Sequence, residues 1–319
     1  MKNKKITAAV CALLSACFLS ACATTNSQVT FNNFWFNDPT IIDPAIGVLE
    51  TLTYDVKFTA LSKGDGYDLQ YNDGTYTATL SMEKVNGENV YVYETELEIS
   101  GKYFCGADEK AFTDTTSATV KFMKNGKLTP VYSQKTIENY SPTSAGTSIE
   151  TCYTYVHYQI ETEYHDQATS GTTTVTNLET QKTSTKTFEI DSKYTYLDNE
   201  QLLFALRGLS QNQSPYFYVY APFSEKVQTI KTIFNTKEET VEYAYDNGTE
   251  NGFEGIVNAY PITLQVDAKL SGASQTVWVA EYNPTLNTHR NVILKMQTSL
   301  AYNLGTLTYT LKKAEFYNN

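Results

Sequence analysis

Basic side chains are in deficit in this sequence. The 319 residues contain 24 Lys and Arg against 35 Asp and Glu, which gives a formal net charge of −11 at pH 7. A chain this acidic is repelled by phosphate backbones and by anionic lipid surfaces. The composition therefore argues against a nucleic-acid partner. Arginine itself occurs only as Arg207 and Arg290, which makes both positions worth attention.

Cysteine is also scarce, with five residues, of which only Cys105 and Cys152 lie beyond residue 22. Redox enzymes use closely spaced, reactive thiols, so the wide separation of this pair argues against that chemistry. In an oxidising compartment the two could form a disulfide, which would stabilise the fold by about 4 kcal/mol in the chain-entropy model. Two free, buried thiols are the alternative.

Signatures of catalysis are missing as well. The sequence contains neither a Gly-x-Ser-x-Gly nucleophile elbow nor a glycine-rich phosphate loop. A pair of carboxylates for glycoside hydrolysis could always be chosen from 35 acidic residues, so that choice has no specificity. We therefore predict that the protein is not an enzyme and uses no cofactor.

The few histidines do not form a predicted metal site. In HYQIETEYH, residues 157–165, alternate side chains of a strand share one face, so His157 and His165 project together with the glutamates between them. At about 3.3 Å per residue, however, the two histidines are about 26 Å apart, too far for one ion. His289 lies in a predicted connection between strands. No metal is expected.

Long apolar runs are absent too. The uncharged segment 6–19 is shorter than the about 20 residues that a membrane-spanning helix needs. Because three lysines precede it, the segment is typical of a secretory signal peptide. The tetrapeptide Leu-Ser-Ala-Cys occurs there twice, ending at Cys17 and at Cys22. Both copies resemble the site at which a bacterial lipoprotein signal is cut before the cysteine that receives the lipid.

Of the two cysteines, Cys22 is the better candidate for lipid attachment. Cutting before Cys22 leaves the polar tether ATTNSQ, whereas cutting before Cys17 leaves Phe18 and Leu19 at the new N-terminus. We predict a signal peptide over 1–21 and a lipidated N-terminus and tether over 22–48, with the membrane as a partner. The predicted location is the cell envelope, at the periplasmic face of the outer membrane if the host is Gram-negative. An ordinary secreted protein is the alternative.

The rest of the chain is dominated by alternating apolar and polar residues. LETLTYDVKFTA, residues 49–60, is one such run, and such alternation is typical of half-buried strands. Asp73-Gly74, Asn86-Gly87 and Asn125-Gly126 each lie between alternating runs and predict hairpin turns. A further turn is predicted at 246–248. Residues 49–319 are therefore expected to form a single β-rich domain.

One helix is predicted among the strands, over Asp198–Leu209, with the sequence DNEQLLFALRGL. Asp198 can cap its first turn and Gln201 follows three residues later, as in a capping box. The predicted class is mainly β, α+β by arrangement, with a curved antiparallel sheet or half-barrel and one principal helix.

Tyrosine is unusually abundant, with 25 residues against 15 Phe and 2 Trp. Tyrosine combines an apolar ring with a hydroxyl group, which suits stacking on sugars and binding of amphipathic ligands. It is also simply a favoured strand residue, which is the alternative explanation.

Three stretches together resemble an envelope family known as domain of unknown function 3108. They are ETLTYDVKF (50–58), DNEQLLFALRGL (198–209) and the closing run from NAYPITLQVDAKL to YNLGTLTYTLKK. The resemblance implies an incomplete antiparallel barrel similar to the lipoprotein-sorting proteins LolA and LolB, with a helix against its concave side. Proteins of that shape hold acyl chains or other apolar ligands between sheet and helix. The family has no established reaction.

From this resemblance we expect a non-catalytic protein that binds or carries an apolar or lipid-like ligand in the concavity. Arg207 near the helix end, and Trp278 and Tyr282 on one strand face, are the candidate lining residues. Arg207 could instead pair with a carboxylate, and Trp278 could belong to the core. A structural or interaction protein with a filled core, with partners unknown, and a glycan-binding protein are the alternative functions.

Overall fold

The computed structural model describes residues 28–31, 46–60, 68–105, 108–142, 151–190, 195–209, 214–235, 237, 239–245, 253–266, 274–281, 291–300 and 305–317. Within these ranges the chain forms 15 β-strands, one 3₁₀ turn at Asn199–Gln201 and one α-helix, α1, at Leu202–Leu206. The strands are β1 Gly47–Ala60, β2 Asp68–Val85, β3 Glu88–Cys105, β4 Asp108–Met123, β5 Pro130–Pro142, β6 Tyr153–His165, β7 Ser170–Asn177, β8 Lys182–Glu189, β9 Tyr216–Ala221, β10 Lys226–Phe234, β11 Glu239–Tyr245, β12 Phe253–Val266, β13 Ser274–Ala280, β14 Ile293–Ser299 and β15 Gly305–Phe316.

All these strands belong to one antiparallel sheet that is not closed. β1 to β8 follow in chain order toward one edge, and on the other side of β1 the sheet continues through β15, β14, β13, β12, β10 and β9. β11 pairs with β12 beside this path. The predicted class, mainly β with a curved antiparallel sheet and one principal helix, is confirmed, and the helix is short.

The sheet curls until its two edge strands touch through their side chains. The ring of Phe188 on β8 stacks on that of Tyr220 on β9, with ring centres 4.0 Å apart and an angle of 7° between the planes. Nearby, the ammonium group of Lys186 lies 3.3 Å from the carboxylate of Glu225. Because these contacts join the edges by side chains rather than by a backbone ladder, the sheet encloses an inner face without becoming a closed barrel.

Of the predicted turns, Asn86-Gly87 forms as expected, Asn125-Gly126 lies in a longer connection in which Leu128 has the positive φ angle, and Asp73-Gly74 was wrong. Asn86-Gly87 joins β2 to β3 with φ angles of 52° and 88°, the left-handed values that this dipeptide favours. Asn125-Gly126 lies between β4 and β5, where the Asn125 side chain accepts the N–H groups of Lys127 and Thr129. The predicted turn at 246–248 lies outside the described residues.

Asp73-Gly74 is not a turn, because β2 runs through it. The pairing of β2 with β3 shifts register between Tyr71 and Gly74, which marks a β-bulge. A Cβ atom at Gly74 would lie 2.6 Å from the carbonyl oxygen of Glu98, so only glycine allows the strands to approach here. The same dipeptide therefore serves a bulge rather than a hairpin.

The predicted helix forms with its capping box, but its regular part is shorter than expected. The Asp198 carboxylate accepts the N–H of Glu200 at 2.8 Å, and the side-chain oxygen of Gln201 accepts the N–H of Asp198 at 3.0 Å. The first turn closes by a bond from the Gln201 N–H to the Asp198 carbonyl, three residues back, so it is wound as 3₁₀. The α-helical part is left with five residues.

The hydrophobic core lies on the inner face of the sheet and under the helix. It includes residues from both halves of the chain, from Val29 and Phe31 to Ala314. Val29 and Phe31 fall within the range predicted as a tether, yet both are buried, and the Val29 N–H donates to the Thr195 hydroxyl at 2.7 Å. The segment that precedes β1 is thus part of the packed body at these residues.

Candidate ligand-binding cavity

A cavity of about 160 Å³ lies between the inner face of the sheet and the segment Asn199–Leu203. One side of its wall comes from β2, β3, β4 and β5, and the other side from β10, β12, β13, β14 and β15. Most of the wall is apolar, including the side chains of Leu97, Ile99, Leu264, Met296 and Leu307. The curl of the sheet therefore brings together strands that are distant in sheet order.

The cavity is accessible from solvent beside the helix. Leu97 on β3 and Leu203 on α1 line the wall but are only half-buried. Leucines that face inward and yet remain partly accessible indicate a site that the protein's own side chains leave unfilled. Grouped apolar surface of this kind is a common feature of ligand-binding sites.

The wall contains one deeply buried acidic group, the carboxyl of Asp114 on β4. Its Oδ2 atom accepts a hydrogen bond from the Tyr71 hydroxyl at 3.0 Å, and its Oδ1 atom accepts one from the N–H of Tyr140 at 2.8 Å. Burial disfavours the charged form and raises the pKa of Asp114 to about 7, although both hydrogen bonds act to lower it. The carboxyl group therefore changes charge near neutral pH.

An ion pair lies beside the helix at the same cavity. The ammonium group of Lys135 on β5 donates to both carboxylate oxygens of Glu200, at 3.0 and 3.2 Å. The side-chain amide of Asn199 donates to Glu200 at 2.7 Å. These three polar side chains line the wall next to the leucines of α1.

The cap of the helix also holds it against the sheet. Besides capping, the Asp198 carboxylate accepts hydrogen bonds from the hydroxyls of Ser133, at 2.6 Å, and of Tyr164. The side-chain amide of Gln201 donates to the carbonyl of Leu128 at 2.7 Å. Burial raises the pKa of Asp198 above its ordinary value. The two residues that identified the helix in the sequence thus fix its position over the cavity.

Arg207 lies away from this cavity and forms a buried ion pair. Its guanidinium binds both carboxylate oxygens of Glu50, with the Nη2–Oε2 distance at 3.0 Å, and its Nε donates to the Asn291 carbonyl at 3.1 Å. Both side chains are 1% exposed. Arg207 therefore pairs with a carboxylate, which was the alternative to its predicted role as a lining residue. It is not among the residues that line the cavity.

Trp278 lies on the face of β13 that points away from the cavity. Gln275 on β13 lines the cavity and Val277 is buried beside it, and Trp278 alternates with these positions. Its indole N–H donates to Glu239 at 2.8 Å, and the Lys295 ammonium lies 4.8 Å from the ring centre. Trp278 therefore does not line the cavity, contrary to its candidate role. Tyr282, the third candidate, lies outside the described residues, as do Cys17, Cys22, His289 and Arg290.

Cys105 and Cys152 form a disulfide, with their Cα atoms 6.4 Å apart. The bond links the end of β3 to the residue before β6, so β6 begins close to the inner-face residue Tyr103. The rings of Tyr103 and Tyr153 stack there with centres 5.7 Å apart. The disulfide thus fixes one end of the sheet and takes no part in the cavity wall.

The tyrosines are divided between the core and the surface. Tyr54, Tyr71, Tyr91, Tyr93 and Tyr103 are buried. A half-buried cluster of Tyr140, Tyr153 and Tyr155 remains, but its rings pack on one another at angles of 47° and 63°. Such tilted rings do not form the flat platform that stacking on a sugar requires.

Within the described ranges, no three His, Cys, Asp or Glu side chains are placed to hold a metal ion. His157 and His165 lie on β6, as the alternation predicted. Among the same residues, no helix combines the length and the apolar character needed to cross a bilayer.

Sequence reasoning missed Asp114 and most of the lining residues. In AFTDTTSATVKF, residues 111–122, Asp114 among threonines resembles a surface residue. It shares strand parity with Phe112, Ala118, Val120 and Phe122, which are all buried. Because alternate residues of a strand share one face, this parity indicates that Asp114 faces inward.

No family model, curated protein sequence or solved structure matches this chain. The resemblance to domain of unknown function 3108, and with it the likeness to LolA and LolB, stays a prediction.

Proposed function

We propose that this protein binds a small apolar ligand, or the apolar part of a larger one, in the cavity between its curved sheet and α1. The observation that carries the proposal is the partly accessible, mainly apolar wall around Leu97, Leu203 and Met296. An ordinary core would bring such side chains into contact, because interiors pack to crystal-like density.

The size of the cavity limits the ligand. An engineered cavity of roughly 150 Å³ lined by apolar side chains stays dry and binds benzene. A cavity of about 160 Å³ therefore suits one ring or a short alkyl segment rather than a whole lipid. If the ligand is a lipid, only part of it enters.

The first test is extraction of the full chain, purified from the envelope, with organic solvent, followed by mass spectrometry. A stoichiometric apolar molecule supports the proposal. A protein that yields no ligand and also fails the probe test below contradicts it and favours the alternative, an interaction protein without a ligand.

The probe test uses matched variants on one strand. Leu97→Trp places an indole in the cavity, whereas Glu96→Trp places the same ring on the exposed outer face. With benzyl alcohol as the probe and saturation-transfer NMR as the readout, Leu97→Trp should abolish binding and Glu96→Trp should leave it unchanged. Equal binding by both variants would place the probe outside the cavity.

For cellular location, we propose that the protein is a non-catalytic envelope lipoprotein anchored through Cys22. Three lysines, a short apolar segment and small residues before this cysteine support the proposal. Cys22→Ser should release the protein from the membrane fraction, and the matched Cys17→Ser variant should stay attached. The reverse result would assign the anchor to Cys17.

A further inference from the structure

The cavity wall combines an apolar surface with one carboxyl group, that of Asp114, that has no basic partner. Its two recorded hydrogen bonds come from Tyr71 and Tyr140. An ionised carboxylate has about four acceptor positions, so capacity remains. Among the described residues, no Lys, Arg or His side chain pairs with it, and no cation contributes to its pKa shift. Lys135, the basic residue of the same wall, is bonded to Glu200.

A second polar group beside Asp114 is also unsatisfied. Asn139 lies on β5 between Glu138 and Tyr140, the residue whose N–H donates to Asp114. The Asn139 side chain is completely buried, yet neither its amide nitrogen nor its amide oxygen has a hydrogen-bond partner among the residues that the structure describes. Buried amides are rarely left in this state, because each unpaired group loses its hydration without compensation. Among the described residues, the Asp114 carboxylate therefore lacks a basic partner and the Asn139 amide lacks a hydrogen-bond partner.

We infer that the ligand is a small amphipathic amine, whose apolar ring or short chain occupies the cavity and whose protonated amino group donates to Asp114. This inference rests on the proposed function, because it specifies the ligand of the same cavity. An amino group supplies a positive charge for the Asp114 carboxylate and N–H donors for its remaining acceptor positions.

The charges around the cavity favour a cation over an anion. Glu138 adds negative potential at Asp114, and the chain as a whole carries a net charge of −11. An anionic head group would meet this potential in a low-dielectric wall, where repulsion is strong. A neutral hydroxyl could donate one hydrogen bond but would leave the carboxylate charge uncompensated.

Binding of an amine should depend on pH through Asp114. The titratable groups that face this carboxyl are the Tyr71 and Tyr103 hydroxyls, from β2 and β3, and Glu138 on β5. Burial raises the pKa of Tyr103, so this group stays neutral near pH 7. Asp114 itself gains a proton as the pH falls through about 7 and then loses its attraction for a cation. Below that pH, amine affinity should fall by up to about tenfold per pH unit.

The experiment compares three probes of one shape and different charge on the full chain. Benzylamine, benzyl alcohol and benzoate are titrated by saturation-transfer NMR at pH 8 and pH 6. Benzylamine should bind at least about tenfold more tightly than benzyl alcohol at pH 8, a ratio equivalent to one charge-assisted contact. Benzoate should bind most weakly, and the preference for the amine should shrink at pH 6.

Variants on β4 identify the group responsible. Asp114→Asn keeps the shape of the side chain and should remove the amine preference and its pH dependence while benzyl alcohol still binds. Asp108→Asn, an exposed position on the same strand, should change neither. If the wild-type protein binds benzyl alcohol as tightly as benzylamine, or prefers benzoate, the amine inference is wrong while the proposed function stands. If no probe binds and extraction yields no ligand, the proposed function itself fails.

Discussion

The inner face of the sheet has two regions that share the same strands and the same short helix but differ in packing. In the packed region, the ring of Phe204 contacts the rings of Tyr91, Tyr93 and Phe122, with centres 5.1 to 5.8 Å apart. In the hollow region, defined by the cavity lining around Leu97, Ile99 and Leu203, comparable side chains leave about 160 Å³ between them. The difference arises within single strands, because β3 carries Tyr91 and Tyr93 in one region and Leu97 and Ile99 in the other.

The buried charges follow the same division. Glu50 lies at the packed region with Arg207 as a bidentate partner. Asp114 lies in the hollow region with two hydrogen bonds and, within the described part of the chain, no cationic partner. The packed region is thus complete by itself, whereas the hollow region is complete only with a ligand under our proposal. Under the same proposal, the residues that stabilise the fold and the residues that bind the ligand lie at different positions along the same strands and helix.

The largest expected effect comes from breaking the ion pair of the packed region. Arg207→Met leaves the Glu50 carboxylate buried without a cation, which should lower the free energy of unfolding by about 3–5 kcal/mol in urea titrations. The double variant Arg207→Met with Glu50→Gln removes the stranded charge and should recover part of the loss. A loss of less than about 1 kcal/mol in the single variant would show that the pair is not what makes this region stable.

A smaller effect is expected from the pH dependence of the hollow region. The folded pKa of Asp114 is raised to about 7, so the folded chain holds this proton where the unfolded chain has lost it. Linkage then makes the ligand-free protein most stable below the unfolded pKa, and stability falls as the pH rises through about 7. Between about pH 5 and pH 8 the loss should be on the order of 2–3 kcal/mol.

Asp114→Asn provides the control for this prediction. The difference in unfolding free energy between wild type and variant reports the contribution of Asp114 alone. This control is needed because the pKa of Asp198 is also raised, so Asp198 makes stability fall with rising pH in the same direction. Urea titrations across this pH range should show a flatter profile for Asp114→Asn than for the wild type. Parallel profiles would mean that Asp114 is ionised at little cost in the folded state.

The smallest effect is a contrast between two leucines of one helix. Leu206 is buried in the packed region, and Leu203 is half-buried in the hollow wall. Leu206→Ala should cost about 2–5 kcal/mol, because it opens a cavity in a filled core. Leu203→Ala removes less buried surface and should cost about 2 kcal/mol less. Equal losses in thermal or urea unfolding would show that both regions are equally packed.

The sequence was most informative where local chemistry decides the structure. Alternation predicted the strands, Asn86-Gly87 predicted its hairpin turn, and Asp198 with Gln201 predicted the start of the helix. Asp73-Gly74 failed because a β-bulge and a hairpin turn favour the same residues. Which one forms depends on whether the next strand pairs on both sides of the dipeptide, and that is a property of the whole sheet.

The cavity could not be predicted from local patterns. Its wall joins β3 and β4 to β10 and β12, and only the curl of the sheet determines that these strands face one another. Trp278 illustrates the limit, because strand parity separated it from Val277 but did not tell which face was inside. For Asp114, strand parity had to be combined with the curl of the sheet to show that its carboxyl group faces the cavity and has no basic side chain beside it among the described residues.

The pairing of β1 with β15 has a consequence for how the chain folds. β15, Gly305–Phe316, is the last of the described strands in chain order, and it lies between β1 and β14 and joins the two halves of the sheet. Until these residues leave the ribosome, one edge of β1 has no partner, and contacts of such long sequence separation form slowly. An unpaired edge can also join other chains. Until β15 is added, the nascent chain is therefore most open to pairing with other chains along this edge of β1.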